Sequence, residues 1–386
     1  MNRRKICVIT GTRAEFGLLK PVMEKIRESE SLELQVIATG MHLLPEYGNT
    51  ISDISRSGIP IDARIPMTVA GDDKTAMSLS IGLGIISFTQ TLNELNPDVV
   101  LILGDRFEIF SAAIAASFSG RVVAHLSGGD TLQAGYDEYT RHAITKISHI
   151  HFPSTEKSAH RIIKMGEDPK RIFIVGSTAL DTILKKKLPS KKDLCKKYEI
   201  PFNDDFALVI QHSISTNPLQ SQQQMEITLN SILELGLKMV VIYPNTDPGG
   251  RKIIETIGRF KEKQSDQIFA FKSVPFEDYL GMMKIASVMI GNSSSGIIES
   301  SSFHLPVVNI GDRQQGRERS CNILDTPHEK EKIKKAIIKA LYDKKFNTSV
   351  MTCMNPYGNG KASEKIVKIL SKIDLGEDIL KKKITY

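Results

Sequence analysis

Between Pro97 and His142, residues suited to proton transfer and anion binding recur at positions where strands end or helices begin. A run of β-formers, Val99 to Leu103, ends on Gly104-Asp105-Arg106. A second short run, Val122 to Leu126, ends on Ser127-Gly128-Gly129-Asp130. Tyr136-Asp137-Glu138 then opens a helix that carries Arg141 and His142. In open parallel sheets, ligands bind beyond the carboxyl ends of the strands. The spacing therefore gathers Asp105, Asp130, Asp137 and Arg141 near one crevice, as acid–base chemistry on an anionic ligand requires.

Further candidates lie outside this stretch. His212 follows the predicted strand 207–211, where an imidazole can act as acid, base or phosphate donor. Gly11-Thr12-Arg13-Ala14-Glu15 joins a strand to a helix; its backbone N–H groups can approach phosphate, and Arg13 adds a planar fork. The alternative is a plain turn. Gly291 to Gly296 is a second phosphate candidate, with Glu299 placed to accept from a ribose diol. Gly311 to Arg317 brings two arginines to another strand end. His42 reads as a packing residue. His149 and His151 alternate along one strand, but no neighbouring Cys or third His supports a metal, and none is expected.

These residues need a scaffold that delivers strand ends to a common edge. Strand–helix alternation runs from Lys5 to Gly176, pauses at two Lys-rich helices broken by Pro189 and Pro201, and restarts at Ala207. The last strand of the first half is read at 171–176, and a helix at 297–303. The fold expected is α/β, two doubly wound Rossmann-like domains with a cleft between them: residues 1–176, and 177–360. No long-range sequence repeat is visible. The small residues of the long helix 75–95 (Ala76, Ser80, Gly82, Gly84) predict close packing against a neighbour, as in a helix-packed dimer.

The chain has 386 residues, 41% hydrophobic and 25% charged, enough for two to three domains. No apolar run reaches a membrane span and no signal-peptide core is present, so a cytoplasmic protein is expected. The net charge of +7 lies in Lys-rich runs at helical spacing with few aromatics. That pattern fits solvated helices, not a nucleic-acid surface, and a small polyanion such as a nucleoside diphosphate is the better partner. Cys7, Cys195, Cys321 and Cys353 are far apart in sequence and are expected as free thiols.

Taken together and in order, these motifs resemble the hydrolysing UDP-N-acetylglucosamine 2-epimerases of sialic-acid and related nonulosonic-acid pathways. Further carriers are Gly104 to Glu108, Arg141 to Lys146, Gln211-His212, Tyr243-Pro244-Asn245 and Val274-Pro275-Phe276. The resemblance implies a glycosyltransferase-B type fold whose C-terminal helix, about 361–386, returns to the first domain. It implies elimination of UDP from a UDP-2-acetamido sugar to a glycal, then addition of water, giving UDP and N-acetylmannosamine from UDP-N-acetylglucosamine. By resemblance, Asp105, Asp130 and Asp137 are catalytic and His212 assists UDP departure. Arg13, Arg106, Arg141, Asn245, Val274, Ser293, Ser294, Glu299 and Arg313 bind substrate. No cofactor is implied, and a homo-dimer or homo-tetramer is.

Asp130 stands where many members carry Glu, and Ser213 where proline is usual. The shorter Asp130 keeps open a 2,4-diacetamido sugar (UDP-diacetylbacillosamine, in the legionaminic-acid pathway). A non-hydrolysing 2-epimerase is a further alternative. No kinase segment is present, so the fused animal form is not expected.

Overall fold

Two six-stranded parallel sheets organise the chain. The computed structural model describes residues 3–71, 73–131, 136–200, 206–214, 218–245 and 247–386. It divides into two units: Met1–Asp130 with Asp137–Lys185 and Tyr357–Tyr386, and Thr131–Tyr136 with Lys186–Pro356.

In the first unit the strands are β1 (Arg4–Thr10), β2 (Leu32–Thr39), β3 (Ala63–Ile65), β4 (Val99–Leu103), β5 (Val122–Leu126) and β6 (Ile150–Phe152). Their order is β3-β2-β1-β4-β5-β6. Strands covered on both faces read as continuous apolar runs, and all five residues of β4 are buried. Alternate side chains feed two cores. Ile6, Val8 and Leu101 enter one; Cys7, Ile9, Val100 and Ile102 enter the other. The helix Arg13–Glu28 is started by a capping box between Thr12 and Glu15. Its Leu19, Val22 and Ile26 share a core with Ile366 and Leu370 of the helix Ala362–Lys372, so that late helix is built into this unit.

The second unit contains β7 (Phe206–Ile210), β8 (Lys238–Ile242), β9 (Ile268–Phe271), β10 (Val288–Gly291), β11 (Val307–Ile310) and β12 (Ile323–Thr326), ordered β12-β11-β10-β7-β8-β9. Counted from its own first strand, this is the order of the first sheet. The topology repeats although no sequence repeat is visible. In each sheet the winding reverses beside the first strand, between β1 and β4 and between β7 and β10. The expected class, two doubly wound Rossmann-like domains, is what the chain forms.

Several local readings change. The stretch 171–176 is not a strand; it makes one bridge, Ile172 to His151. The helix read at 297–303 is one α-turn, Ser295–Ile298, followed by a 3-10 turn, Ser300–Phe303. Cys321 and Cys353 are joined by a disulfide, so only Cys7 and Cys195 are free thiols. Folding brings their Cα atoms to 5.7 Å across 32 residues of sequence, which spacing alone does not disclose.

The helix Lys74–Leu95 has the length and mean hydropathy, 1.3, of a membrane-crossing helix, contrary to the sequence reading. Its Ala76, Ser80, Gly84, Phe88 and Leu92, spaced by four, are buried as one face. A Cβ on Gly84 would lie 2.9 Å from Ser111 Cβ, so this face packs closely on the helix Phe107–Phe118. Gly82 is exposed and takes no part. Leu79, Leu83 and Ile86 are exposed on the same helix.

Candidate functional site

The carboxylates of the first unit collect at the carboxyl edge of its sheet. β4 ends on Gly104 with φ +83°, a left-handed turn that favours glycine, and Asp105 follows. The Gly104 carbonyl accepts from His125 Nε2 at 2.7 Å, and His125 Nδ1 lies 3.3 Å from Thr145 Oγ1. Burial holds His125 neutral, its pKa lowered to about 3, so Nε2 carries the proton that Gly104 accepts. Asp105 forms an ion pair with the buried Arg141 of the helix Tyr136–Ile147. Asp137 lies four residues before Arg141, one turn away on the same helix face. Asp130 is buried after β5, where its Oδ1 accepts from the Ser158 hydroxyl at 2.6 Å. Asp105, Asp137 and Arg141 are thus brought together by one ion pair and one helical turn, while Asp130 is held separately by the helix Glu156–Lys164.

The turn after β1 differs from the phosphate cradle expected of it. The N–H groups of Gly11 and Thr12 donate to Glu15 Oε2 at 2.7 and 3.2 Å, so the chain's own carboxylate takes the place foreseen for phosphate. Glu15 is buried, and burial together with Glu108 pushes its pKa up. Arg106 lies between the two acids, its Nη2 3.0 Å from Glu108 Oε1 and its Nε 4.0 Å from Glu15 Oε1. Arg13 pairs with Asp53. In the sequence Glu15 and Glu108 stand only as members of the motifs 11–15 and 104–108.

In the second unit His212 follows β7 and Asn292 follows β10, the two strands that flank the reversal of winding. His212 N–H donates to Asn292 Oδ1 at 2.7 Å, and Asn292 Nδ2 donates to the His212 carbonyl at 2.9 Å. The Asn245 N–H points to His212 Nδ1 at 3.3 Å, which assigns the ring proton to Nε2 in the neutral imidazole. Arg313 and Gln314 both donate to the Asn292 carbonyl, at 3.2 and 2.9 Å. Asn292, part of the phosphate candidate 291–296 but given no role of its own there, is the centre that ties His212 to Arg313. Gly291 permits this: a Cβ there would sit 2.0 Å from the Ile210 carbonyl oxygen.

Ser293 is buried and Ser294 half-buried, beside the single turn Ser295–Ile298. Glu299 is buried; desolvation raises its pKa to about 7 against the opposing pull of Ser295 and Arg317, and its Oε2 has no hydrogen-bond partner. Val274 is buried two residues before the helix Phe276–Ile285. Ser213, in the place where proline is usual, bonds Ser221 at 2.7 Å and the Pro248 carbonyl at 2.6 Å, fixing the loop behind Asn245. Each of Asn245, Val274, Ser293, Ser294, Glu299 and Arg313 belongs to this unit.

Among the described residues no group of three or more His, Cys, Asp or Glu is arranged to hold a metal. His149 Nδ1 accepts from the Val123 N–H at 3.0 Å, and His151 Nε2 lies 3.1 Å from Glu167.

Residues 24–371 match the family described as UDP-N-acetylglucosamine 2-epimerase. A Legionella pneumophila protein named UDP-N,N'-diacetylbacillosamine 2-epimerase (hydrolyzing) is 37% identical over 99% of this chain and 100% of its own. A Campylobacter jejuni GDP/UDP-N,N'-diacetylbacillosamine 2-epimerase (hydrolyzing) is 38% identical, covering 84% of this chain and 85% of its own. The crystal structure of a UDP-GlcNAc 2-epimerase from Neisseria meningitidis bound to UDP-GlcNAc shares the fold, with TM-score 0.80 at 20% identity over 96% of this chain and 100% of that one.

Proposed function

The chain belongs to the UDP-N-acetylglucosamine 2-epimerase family, and from that premise we propose that it is a hydrolysing 2-epimerase of a UDP-linked 2-acetamido sugar in nonulosonic-acid biosynthesis. The Asp105–Arg141 ion pair, with Asp137 one helical turn from Arg141, carries this reading. It puts a carboxylate base next to a cation and a second carboxylate, at the strand edge where doubly wound sheets bind ligands.

A carboxylate of the set Asp105, Asp130 and Asp137 removes the C2 proton. The bond from C1 to the UDP oxygen breaks, and the ring becomes a glycal. Water then adds its hydroxyl to C1, and a carboxyl group returns a proton to C2 on the opposite face. The products are UDP and the free 2-epimer. His212, protonated on Nε2, donates toward the departing pyrophosphate, with Arg313 supplying charge. Glu299 accepts from the ribose diol, and Asn245, Val274, Ser293 and Ser294 line the nucleotide. Arg13 and Arg106, which pair with Asp53 and Glu108, bind the substrate as well.

For the sugar, we favour a UDP-2,4-diacetamido-trideoxy substrate. The two relatives at 37–38% identity carry that activity in their names, and Asp130 is shorter than the Glu usual in the family. UDP-N-acetylglucosamine is the second reading. The test is proton NMR of the protein with each sugar nucleotide in deuterated water. Deuterium at C2 with release of UDP and a free sugar supports the proposal. Retention of the UDP-linked epimer defeats the hydrolysing reading, and no C2 exchange with either sugar defeats the epimerase reading.

The exposed Leu79, Leu83 and Ile86 support a homo-dimer or homo-tetramer. A nucleotide-sugar substrate supports a cytoplasmic location.

A further inference from the structure

We infer that Lys382 is a positioning residue for the proton chemistry, an inference that rests on the function proposed above. After the helix Ala362–Lys372 the chain runs along the first unit, and its residues are mostly exposed. Lys382 alone between Lys381 and Tyr386 is not exposed, and its lowered pKa reflects that burial. Its ammonium donates to the Lys146 carbonyl at 2.6 Å and to the Ser148 carbonyl, and it pairs with Glu167 Oε2 at 2.7 Å. These carbonyls close the helix Tyr136–Ile147, whose last turn leaves acceptors with no partner in the helix itself. Glu167 also takes Lys146 at 2.6 Å, so one buried carboxylate binds the tail and the helix end together.

That helix is the element that carries Asp137 and Arg141. It reaches Asp105 by two routes. Arg141 pairs with it directly, and Thr145 contacts His125, whose Nε2 holds the Gly104 carbonyl. A cation from residue 382 therefore sets the axial position of the helix on which the carboxylate pair depends. It does so from the far end and touches no reacting atom. Loss of that cation lets the last turn fray and the helix shift. Such a shift weakens proton transfer, which depends on placement to a fraction of an ångström, and spares Asn245, Val274, Ser293, Ser294, Glu299 and Arg313, which belong to the second unit.

The experiment compares the full chain with Lys382→Met and Lys382→Arg, using Lys383→Met as the exposed control, well below the melting temperature. Lys382→Met should lower kcat about tenfold or more while UDP affinity stays within about twofold. Amides 144–148 should exchange faster, and Lys382→Arg should recover most of the turnover. A kcat for Lys382→Met equal to that of Lys383→Met overturns the inference, as does unchanged exchange at 144–148. Equal loss of UDP binding shows general unfolding and also overturns it. If Lys382→Met does not fold, a Lys382→Arg protein with the same exchange and kcat as wild type supports the cation's role, and one that falls short in both overturns it. A wild type that turns over neither UDP sugar defeats the reaction assignment instead.

Discussion

His212 and Asn292 exchange hydrogen bonds, His212 N–H to Asn292 Oδ1 at 2.7 Å and Asn292 Nδ2 to the His212 carbonyl at 2.9 Å. The pair staples the ends of β7 and β10, strands 80 residues apart in the chain. One amide side chain bonds both buried backbone groups of His212.

Asn292→Ala should therefore cost about 1–3 kcal/mol of stability, because a buried N–H and a buried C=O lose their partner together. It should also weaken UDP binding, since the Asn292 carbonyl anchors Arg313 and Gln314. Thermal melts with and without UDP measure both effects. A melt and a UDP affinity matching wild type would show that the pair is dispensable.

Asp105→Asn keeps the shape of the turn and removes one carboxylate of the proposed reacting set. Turnover should fall about 10²- to 10⁴-fold, the usual contribution of a positioned acid or base. UDP affinity should hold within about twofold. Turnover near that of wild type removes Asp105 from the reacting set.

Nucleotide binding should depend on pH, with Glu299 proposed as the ribose acceptor. Its pKa is raised to about 7 by burial, so the empty site is mainly protonated below that pH. A ribose diol needs the carboxylate form as acceptor. UDP affinity should then fall as pH drops below about 7, approaching tenfold per unit. In stability the sign is the reverse: the raised pKa favours the folded protein below about 4.5, and that contribution is lost as pH rises through 7. Calorimetry of UDP binding at pH 6 and 8 tests this, with Glu299→Gln as control because the phosphate titrates alike in both. Equal pH dependence in the two proteins rules out the ribose assignment.

Burial holds four histidines of the first unit neutral: His42 and His149 with pKa lowered to about 4, His125 to about 3, and His151 lowered as well. Each takes up a proton on unfolding near pH 6.5, so each contributes stability that is present above 6.5 and lost as pH falls toward its folded pKa. Glu15 and Glu299, with their pKa values raised by burial, act in the opposite direction, two groups against four. At about 1.4 kcal/mol per pH unit for each proton, the histidines prevail. The melting temperature should fall between pH 7 and pH 5, and the Cε1 resonances of His42, His125 and His149 should not titrate above pH 5. A titration near 6.5 at any of them removes it from the set.

Much of the architecture was legible because strand and helix periods are local properties. The runs Val99–Leu103 and Val122–Leu126 and the helix 13–28 are found where their patterns put them. The short edge strands β3 and β12, of three and four residues, carried too little pattern to be read. The strand–Gly–helix spacing at Gly11 permits an anion cradle or a plain turn. The spacing could not reveal that Glu15, one turn into the helix, would fold back onto those N–H groups.

By itself, the order of residues determined the alternation of strands and helices, and with it which carboxylates and which histidine would lie at strand ends. Tertiary structure decided partners. Strand order brought Asn292 to His212, chain return brought Lys382 to Glu167, and packing joined Cys321 to Cys353. The reason is physical: periodicity is written within a few residues, whereas a buried polar group takes its partner from whatever part of the chain the closed core delivers to it.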